Sequence, residues 1–283
     1  MAAKVTIDQI KELRDRTGAG LMNCKEALIE ADADIEKAID ILREKGIAKA
    51  AKKAGRVAAE GLALVKTGEG KAVVAEINCE TDFVSSSDKF RDFTAKVMDE
   101  LFAKGCKTLE EAQEATKDLF AEATIAMGEK FLLRRYTFLE LKDGEAFGSY
   151  IHMGGKIAAL AVLSKDLGEA NRGIAMTIAS AAPEYLTLAD VPAADREREL
   201  AIAQKEVAED PKLAGKPENV KAMIAQRKVD SRLGENCLEA KPYALDPDGK
   251  LLVSQFLKEK GAKVVTFVRY LVGEGVDKSA QED

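Results

Sequence analysis

Residue types that carry out covalent chemistry are scarce in this chain of 283 residues. It has one histidine, His152, so zinc sites with two or more imidazoles and two-histidine iron sites cannot be assembled. Any Ser-His or Cys-His nucleophile must use that residue, and no serine or cysteine pairs with a base and an orienting group around it. The four cysteines, Cys24, Cys79, Cys106 and Cys237, contain no C-x-x-C pair, which excludes a thioredoxin-like motif and a zinc ribbon. So thinly scattered, they read as reduced thiols. Gly18-Ala19-Gly20 lacks the third glycine of a dinucleotide fingerprint and follows a helical pattern, not a strand. Gly68-Glu69-Gly70-Lys71 lacks the Ser/Thr and the spacing of a phosphate loop. Both read as turns. The residues imply no cofactor, nucleotide or metal site.

Glu80-Thr81-Asp82-Phe83-Val84 is different. It follows an apolar, strand-like run and precedes Ser85-Ser86-Ser87-Asp88, a loop and helix-cap composition. One reading is a helix start, with Thr81 or Asp82 as N-cap and Phe83 tucked into the core. The other is a loop tip that presents a carboxylate beside an aromatic wedge to another protein's pocket. The residues leave both open. His152, beside Gly154-Gly155 at a strand end, likewise reads as a structural residue or a partner contact. The basic run Arg43, Lys45, Lys49, Lys52, Lys53 and Arg56 has only Glu44 against it. Without interleaved aromatics, in a chain of net charge −6, it reads as a solvated helix face and not as a nucleic-acid footprint.

The elements that must position these residues show in the periodicity. Thr6 with Gln9 forms a capping-box pair, Ile7, Ile10 and Leu13 recur on one face, and Gly18 and Gly20 end that helix. Asn23 with Glu26 is expected to open a second helix with Ala27, Leu28 and Ala31 inward. Asp34 is expected to cap a third, with Ile35, Ala38, Ile39 and Leu42 inward, that stops at Gly46. The basic stretch then forms a connecting helix. From Glu60 the period shortens to that of strands. Leu62–Lys66 and Ala72–Asn78 flank a turn as a hairpin, followed by helices at 87–102 (Phe90, Phe93, Val97 and Leu101 on one face) and 109–127. Phe147–His152, Gly154-Gly155 and Lys156–Ser164 repeat the hairpin, followed by a helix at 171–182. Gly70-Lys71 aligns with Gly155-Lys156, a constant offset of 85 positions.

Between 191 and 236 a narrow apolar stripe reads as an antiparallel helical hairpin, with Leu200, Ala203 and Val207 on one arm and Val220, Met223, Ile224 and Arg227 on the other. Val264–Leu271 is a strand, and Asp277–Asp283 a polar, frayed tail. The expected organisation is α+β. A three-helix bundle spans 1–54, a first α+β subdomain 55–145, and a second 146–283 with the hairpin inserted at about 191–236. Hydrophobic content of 46% with 33% charged residues fits a soluble globular protein, not a disordered one. The segment 1–14 lacks the apolar core of a signal peptide, and Ile157–Leu163 is far too short to span a membrane. A cytoplasmic location is expected.

Lys11-Glu12-Leu13-Arg14-Asp15-Arg16-Thr17-Gly18-Ala19-Gly20-Leu21-Met22-Asn23-Cys24-Lys25-Glu26-Ala27-Leu28 resembles the N-terminal signature of the translation elongation factor Ts family. Asn78-Cys79-Glu80-Thr81-Asp82-Phe83-Val84 resembles that family's second signature, and Gly148-Ser149-Tyr150-Ile151-His152 a third stretch. The similarity covers essentially the whole chain. It implies a guanine-nucleotide exchange factor for elongation factor Tu, acting without covalent chemistry or cofactor, with no nucleic acid or membrane as partner. It further implies that the N-terminal bundle is ubiquitin-associated-like and docks on the GTPase domain through Arg14, Leu21 and Met22. Thr81, Asp82, Phe83 and Val84 are implied to enter near the magnesium site, Met127 to make an apolar contact, and His152 to touch a distal domain. The alternatives are a non-catalytic, ubiquitin-associated-like interaction scaffold and an α+β hydrolase using His152.

Overall fold

The computed structural model describes residues 5–277. Beyond Asp277, the expected polar tail lies outside the described residues, as do the first four positions of the segment read for a signal peptide. Within the described range the chain divides into two compact units, one of residues 5–140, 151–158 and 270–277, the other of 141–150 and 159–269.

The first unit opens with three helices, α1 (Ile7–Thr17), α2 (Leu21–Glu30) and α3 (Ile35–Lys52). Local chemistry sets their ends. Thr6 and Gln9 complete the capping box of α1, Gly18 closes it at φ 66°, and the Asp34 carboxylate accepts from the Lys37 amide at the start of α3. Leu13, Cys24, Ala27, Leu28, Ala31, Ala38 and Leu42 form their common core. Three expectations fail here. Ile7 is exposed, outside the stripe that Ile10 and Leu13 continue. The second helix opens at Leu21 behind Gly20 with no side-chain cap, so Asn23 lies inside it. Gly46 does not end α3. It is buried mid-helix, where an added Cβ would lie 2.5 Å from the Ala121 carbonyl oxygen. Gly46 is there for close helix packing, and α3 runs on to Lys52, carrying most of the basic stretch that was expected to form a connecting helix, while Lys53 and Arg56 lie beyond its last turn.

Next come β1 (Glu60–Gly68) and β2 (Lys71–Cys79), paired antiparallel from Glu60↔Cys79 to Gly68↔Lys71. Their two-residue turn places Glu69 at φ 50° and Gly70 at φ 73°, the doubly positive geometry that matches strand twist. A four-residue turn of helix, α4 (Asp82–Ser85), leads to α5 (Asp88–Lys104) and α6 (Leu109–Met127). Phe90, Phe93, Val97 and Leu101 of α5 pack on Val73, Ala75 and Ile77 of β2 in one core. A strand absent from the sequence reading, β3 (Leu132–Glu140), pairs antiparallel with β2 and completes the order β1-β2-β3. Its arginines Arg134 and Arg135 masked its strand pattern. Both bind the fully buried Glu76 carboxylate, Arg134 at 3.0 Å, so the charges belong to a paired cluster inside the sheet. Asn78 and the Gly273 amide (2.7 Å) also donate to Glu76.

The second sheet has the order β4-β5-β6, from β4 (Ala146–His152), β5 (Ile157–Leu163) and, after a long excursion, β6 (Val264–Leu271). Its central strand is Ile157-Ala-Ala-Leu-Ala-Val-Leu163, buried along nearly its whole length, as β2 is in the first sheet. Between β5 and β6 lie α7 (Glu169–Ala181), α8 (Ala193–Glu209), α9 (Glu218–Gly234) and α10 (Val253–Lys260), the last unforeseen. The pair α8 and α9 forms the expected helical hairpin around Ala203, Val207, Ala225 and Val229. Its second arm is rotated from expectation. Ile224, Ala225, Val229 and Leu233 face inward, while Met223 is exposed. Hairpins, helices and small antiparallel sheets in this arrangement make the fold α+β.

Candidate partner-binding site

Strand β2 ends at Cys79, and the chain then turns over a tightly held corner. Thr81 is the N-cap of α4, its hydroxyl accepting from the Val84 amide at 3.3 Å. The same hydroxyl donates to Glu129 Oε1 at 2.6 Å. Glu129 Oε2 accepts from the amides of Glu80 (3.0 Å) and Thr81 (3.1 Å). In return Glu80 Oε1 accepts from the Lys130 amide at 2.6 Å, and its carboxylate pairs with Arg56 at 3.2 Å. Two carboxylates thus clamp two loops to each other. The Cys79 thiol donates to the Thr81 carbonyl at 3.2 Å. Burial, then the charges of Glu129 and Glu60, push its pKa up to about 12. That thiol is inert at neutral pH.

Thr81 is a cap, as the helix-start reading held. Phe83 is not in the core. It is 85% exposed, beside an exposed Asp82, while Val84 turns inward against the core of the first unit. This open aromatic therefore sits on a hydrogen-bonded, ordered corner and not on a frayed loop.

Met127, the last residue of α6, packs on the same core as Val84. The α1–α2 corner lies against this end of α6, where a Cβ on Gly18 would sit 3.5 Å from Ala126 Cβ. Arg14, Leu21 and Met22 flank that corner and are exposed, Leu21 at 51% and Met22 at 65%. His152 ends β4, half-buried, and its carbonyl accepts from the amides of Gly155 (3.2 Å) and Lys156 (3.1 Å). That turn docks on β1, the Ala63 amide donating to the Gly155 carbonyl at 2.7 Å. The structure therefore gathers the α1–α2 corner, Met127 and the Thr81–Val84 corner around one end of α6, and sets His152 beside β1.

Met153, 71% exposed at φ 49° next to His152, and Glu129, which holds the Thr81 corner, adjoin the expected site residues without having been among them. Met153 carried a usable signal, a large apolar residue directly before a glycine pair. Glu129 carried none, being one carboxylate after a helix end among many. The basic stretch is largely engaged within the protein. Arg43 pairs with Glu122, Lys45 with Glu30 and Arg56 with Glu80, and Lys53 donates to the Gly128 carbonyl. All four cysteines are buried and unbridged. Among the described residues no cluster of three potential metal ligands occurs, and no helix is long and apolar enough to cross a membrane.

Comparison with known proteins bears on the segment just described. The family described as Elongation factor TS matches residues 80–274, beginning at the clamped corner. The chain is 42% identical over 284 residues to Elongation factor Ts of Lactiplantibacillus plantarum, covering 98% of this chain and 95% of that protein. The chain belongs to the elongation factor Ts family. Elongation factor Ts of Lacticaseibacillus casei and of Lacticaseibacillus paracasei are each 43% identical to it over 287 residues, covering 99% of this chain and 96% of theirs. With coverage nearly complete on both sides, membership extends to the N-terminal helices, ahead of the stretch the family description matches. This makes the chain an elongation factor of protein biosynthesis.

Proposed function

We propose that this protein is the guanine-nucleotide exchange factor of elongation factor Tu, binding its GDP form, promoting GDP release and so allowing GTP to load. The observation that carries the reading is Phe83, held 85% exposed beside Asp82 on a clamped corner. Exchange requires no proton transfer and no bound cofactor. It requires only that the protein bind nucleotide-free GTPase better than nucleotide-bound GTPase, since a ligand shifts an equilibrium by its differential affinity alone. A carboxylate and an aromatic entering beside the magnesium ion and the phosphate-binding backbone amides supply that difference, because ion and amides together hold the diphosphate. Family membership supports the same reading.

In this mechanism Thr81, Asp82, Phe83 and Val84 disturb the magnesium and phosphate site. Arg14, Leu21 and Met22 of the ubiquitin-associated-like bundle dock on the GTPase domain, Met127 adds an apolar contact near them, and His152 reaches a distal domain. The work is cytoplasmic. Linkage supplies the test, because GDP must weaken this protein's grip by the factor by which this protein weakens GDP's. Calorimetric titration into nucleotide-free and GDP-loaded elongation factor Tu measures both. Tighter binding to the nucleotide-free form is expected, and equal affinities for the two forms would leave only an interaction scaffold.

A further inference from the structure

We infer that Glu129 is a positioning residue for nucleotide exchange: it touches no partner itself but sets the direction in which Phe83 and Asp82 point. This rests on the exchange reading above. The geometry is a relay. Glu129 binds the Glu80 and Thr81 amides and the Thr81 hydroxyl, and that hydroxyl in turn accepts from the Val84 amide, leaving Phe83 between two fixed points. A carboxylate that takes three hydrogen bonds from one corner confines it more than neutral acceptors do. Every rotamer of Phe83 is then presented from a fixed backbone, so ordering of the wedge is largely complete before the partner arrives.

The clamp also reaches the helical bundle. The Glu80 carboxylate holds the Lys130 amide, and the Lys130 ammonium donates to the carbonyls of Ala54 and Arg56, each at 2.6 Å. Lys53, at the end of α3, donates to the Gly128 carbonyl at 2.8 Å. Residues 128–130 are therefore tied on one side to the chain leaving the bundle and on the other to the wedge. Through this junction, docking of the bundle fixes where the wedge enters.

The experiment uses the full chain and its Glu129→Gln, Glu129→Ala, Phe83→Ala and Glu129→Ala/Phe83→Ala variants. Three quantities are measured: deuterium uptake of a peptide covering 79–85, thermal unfolding, and the release of fluorescent GDP from elongation factor Tu. Glu129→Ala is expected to speed uptake at 79–85 and to slow release about tenfold, the usual size for losing charge-assisted hydrogen bonds. Glu129→Gln, which keeps the size and one acceptor oxygen, falls between it and the parent. On the Phe83→Ala background the Glu129→Ala change costs little further, because its effect passes through the wedge. Unchanged uptake, additive losses, or a lowered melting temperature with exchange per folded molecule intact would each overturn the inference. Failure of the parent to release GDP would instead overturn the exchange reading, and the uptake measurement would still decide whether Glu129 orders the corner.

Discussion

Replacing Phe83 with alanine separates a wedge from a core residue most sharply. The side chain is 85% exposed, so truncation removes almost no packing and should change folding stability by less than about 0.5 kcal/mol. A core phenylalanine would lose about 3–5 kcal/mol. For the complex the arithmetic runs the other way. A phenylalanine offers roughly 150–200 Å² for burial. At about 25 cal/mol per Å², with alanine retaining part of the contact, the loss is about 3 kcal/mol. Immobilising the ring offsets about 1 kcal/mol, which leaves about 2 kcal/mol, or roughly thirtyfold in affinity. The assay pairs thermal unfolding with fluorescent-GDP release from elongation factor Tu across a titration of magnesium. The variant should melt with the parent and release GDP more slowly, with the gap shrinking once a chelator strips magnesium. A destabilised Phe83→Ala protein with full exchange per folded molecule would make Phe83 a structural residue and not a partner anchor.

Further predictions concern the framework. Met22→Ala should weaken binding to elongation factor Tu about tenfold and leave the melting temperature within a degree or two, since Met22 is 65% exposed; a large stability loss with unaltered affinity would make Met22 a structural residue. Gly46→Ala gains about 1 kcal/mol of helix propensity but drives a Cβ to 2.5 Å from the Ala121 carbonyl, so urea unfolding should show a net loss of about 1 kcal/mol or more. A stabilised variant would mean that α3 and α6 can separate freely. The buried Cys79 thiol, raised from 9.0 to about 12, should stay unreactive towards thiol reagents until the protein unfolds. Because the folded value lies above the unfolded one, its contribution to stability is complete below pH 9 and falls as pH rises towards 12, by about 1.4 kcal/mol per unit. A Cys79→Ala variant should lack that part of the alkaline slope in urea midpoints.

What could be read from the residues was what neighbours in sequence determine. Thr6 and Asp34 cap helices they precede by one position, so their roles follow from spacing alone. The hairpin turns and the buried face of α5 were legible for the same reason. What escaped depends on partners far along the chain. β3 was missed because Arg134 and Arg135 look solvated until Glu76, 58 and 59 positions earlier, is seen to neutralise them. Gly46 resembles a helix stop until the backbone of Ala121 is placed against it. Met223 and Ala225 lie on one short helical stretch, and only the register against α8 decides which faces inward. At the candidate site, Thr81–Val84 stood out by composition and by resemblance, whereas Glu129 acts across 48 positions that no local pattern spans.

The proposed exchange activity requires this chain to accelerate release of GDP from another protein without binding or transforming the nucleotide itself. Fluorescent GDP preloaded on elongation factor Tu, chased with excess unlabelled GDP, tests it directly when the chain is added at a few per cent of the GTPase concentration. All the label should leave faster, many GTPase molecules being turned over per molecule of the chain, and the chain alone should show no saturable GDP binding. Label release that is unchanged, or accelerated only in one-to-one proportion to the chain added, would contradict it.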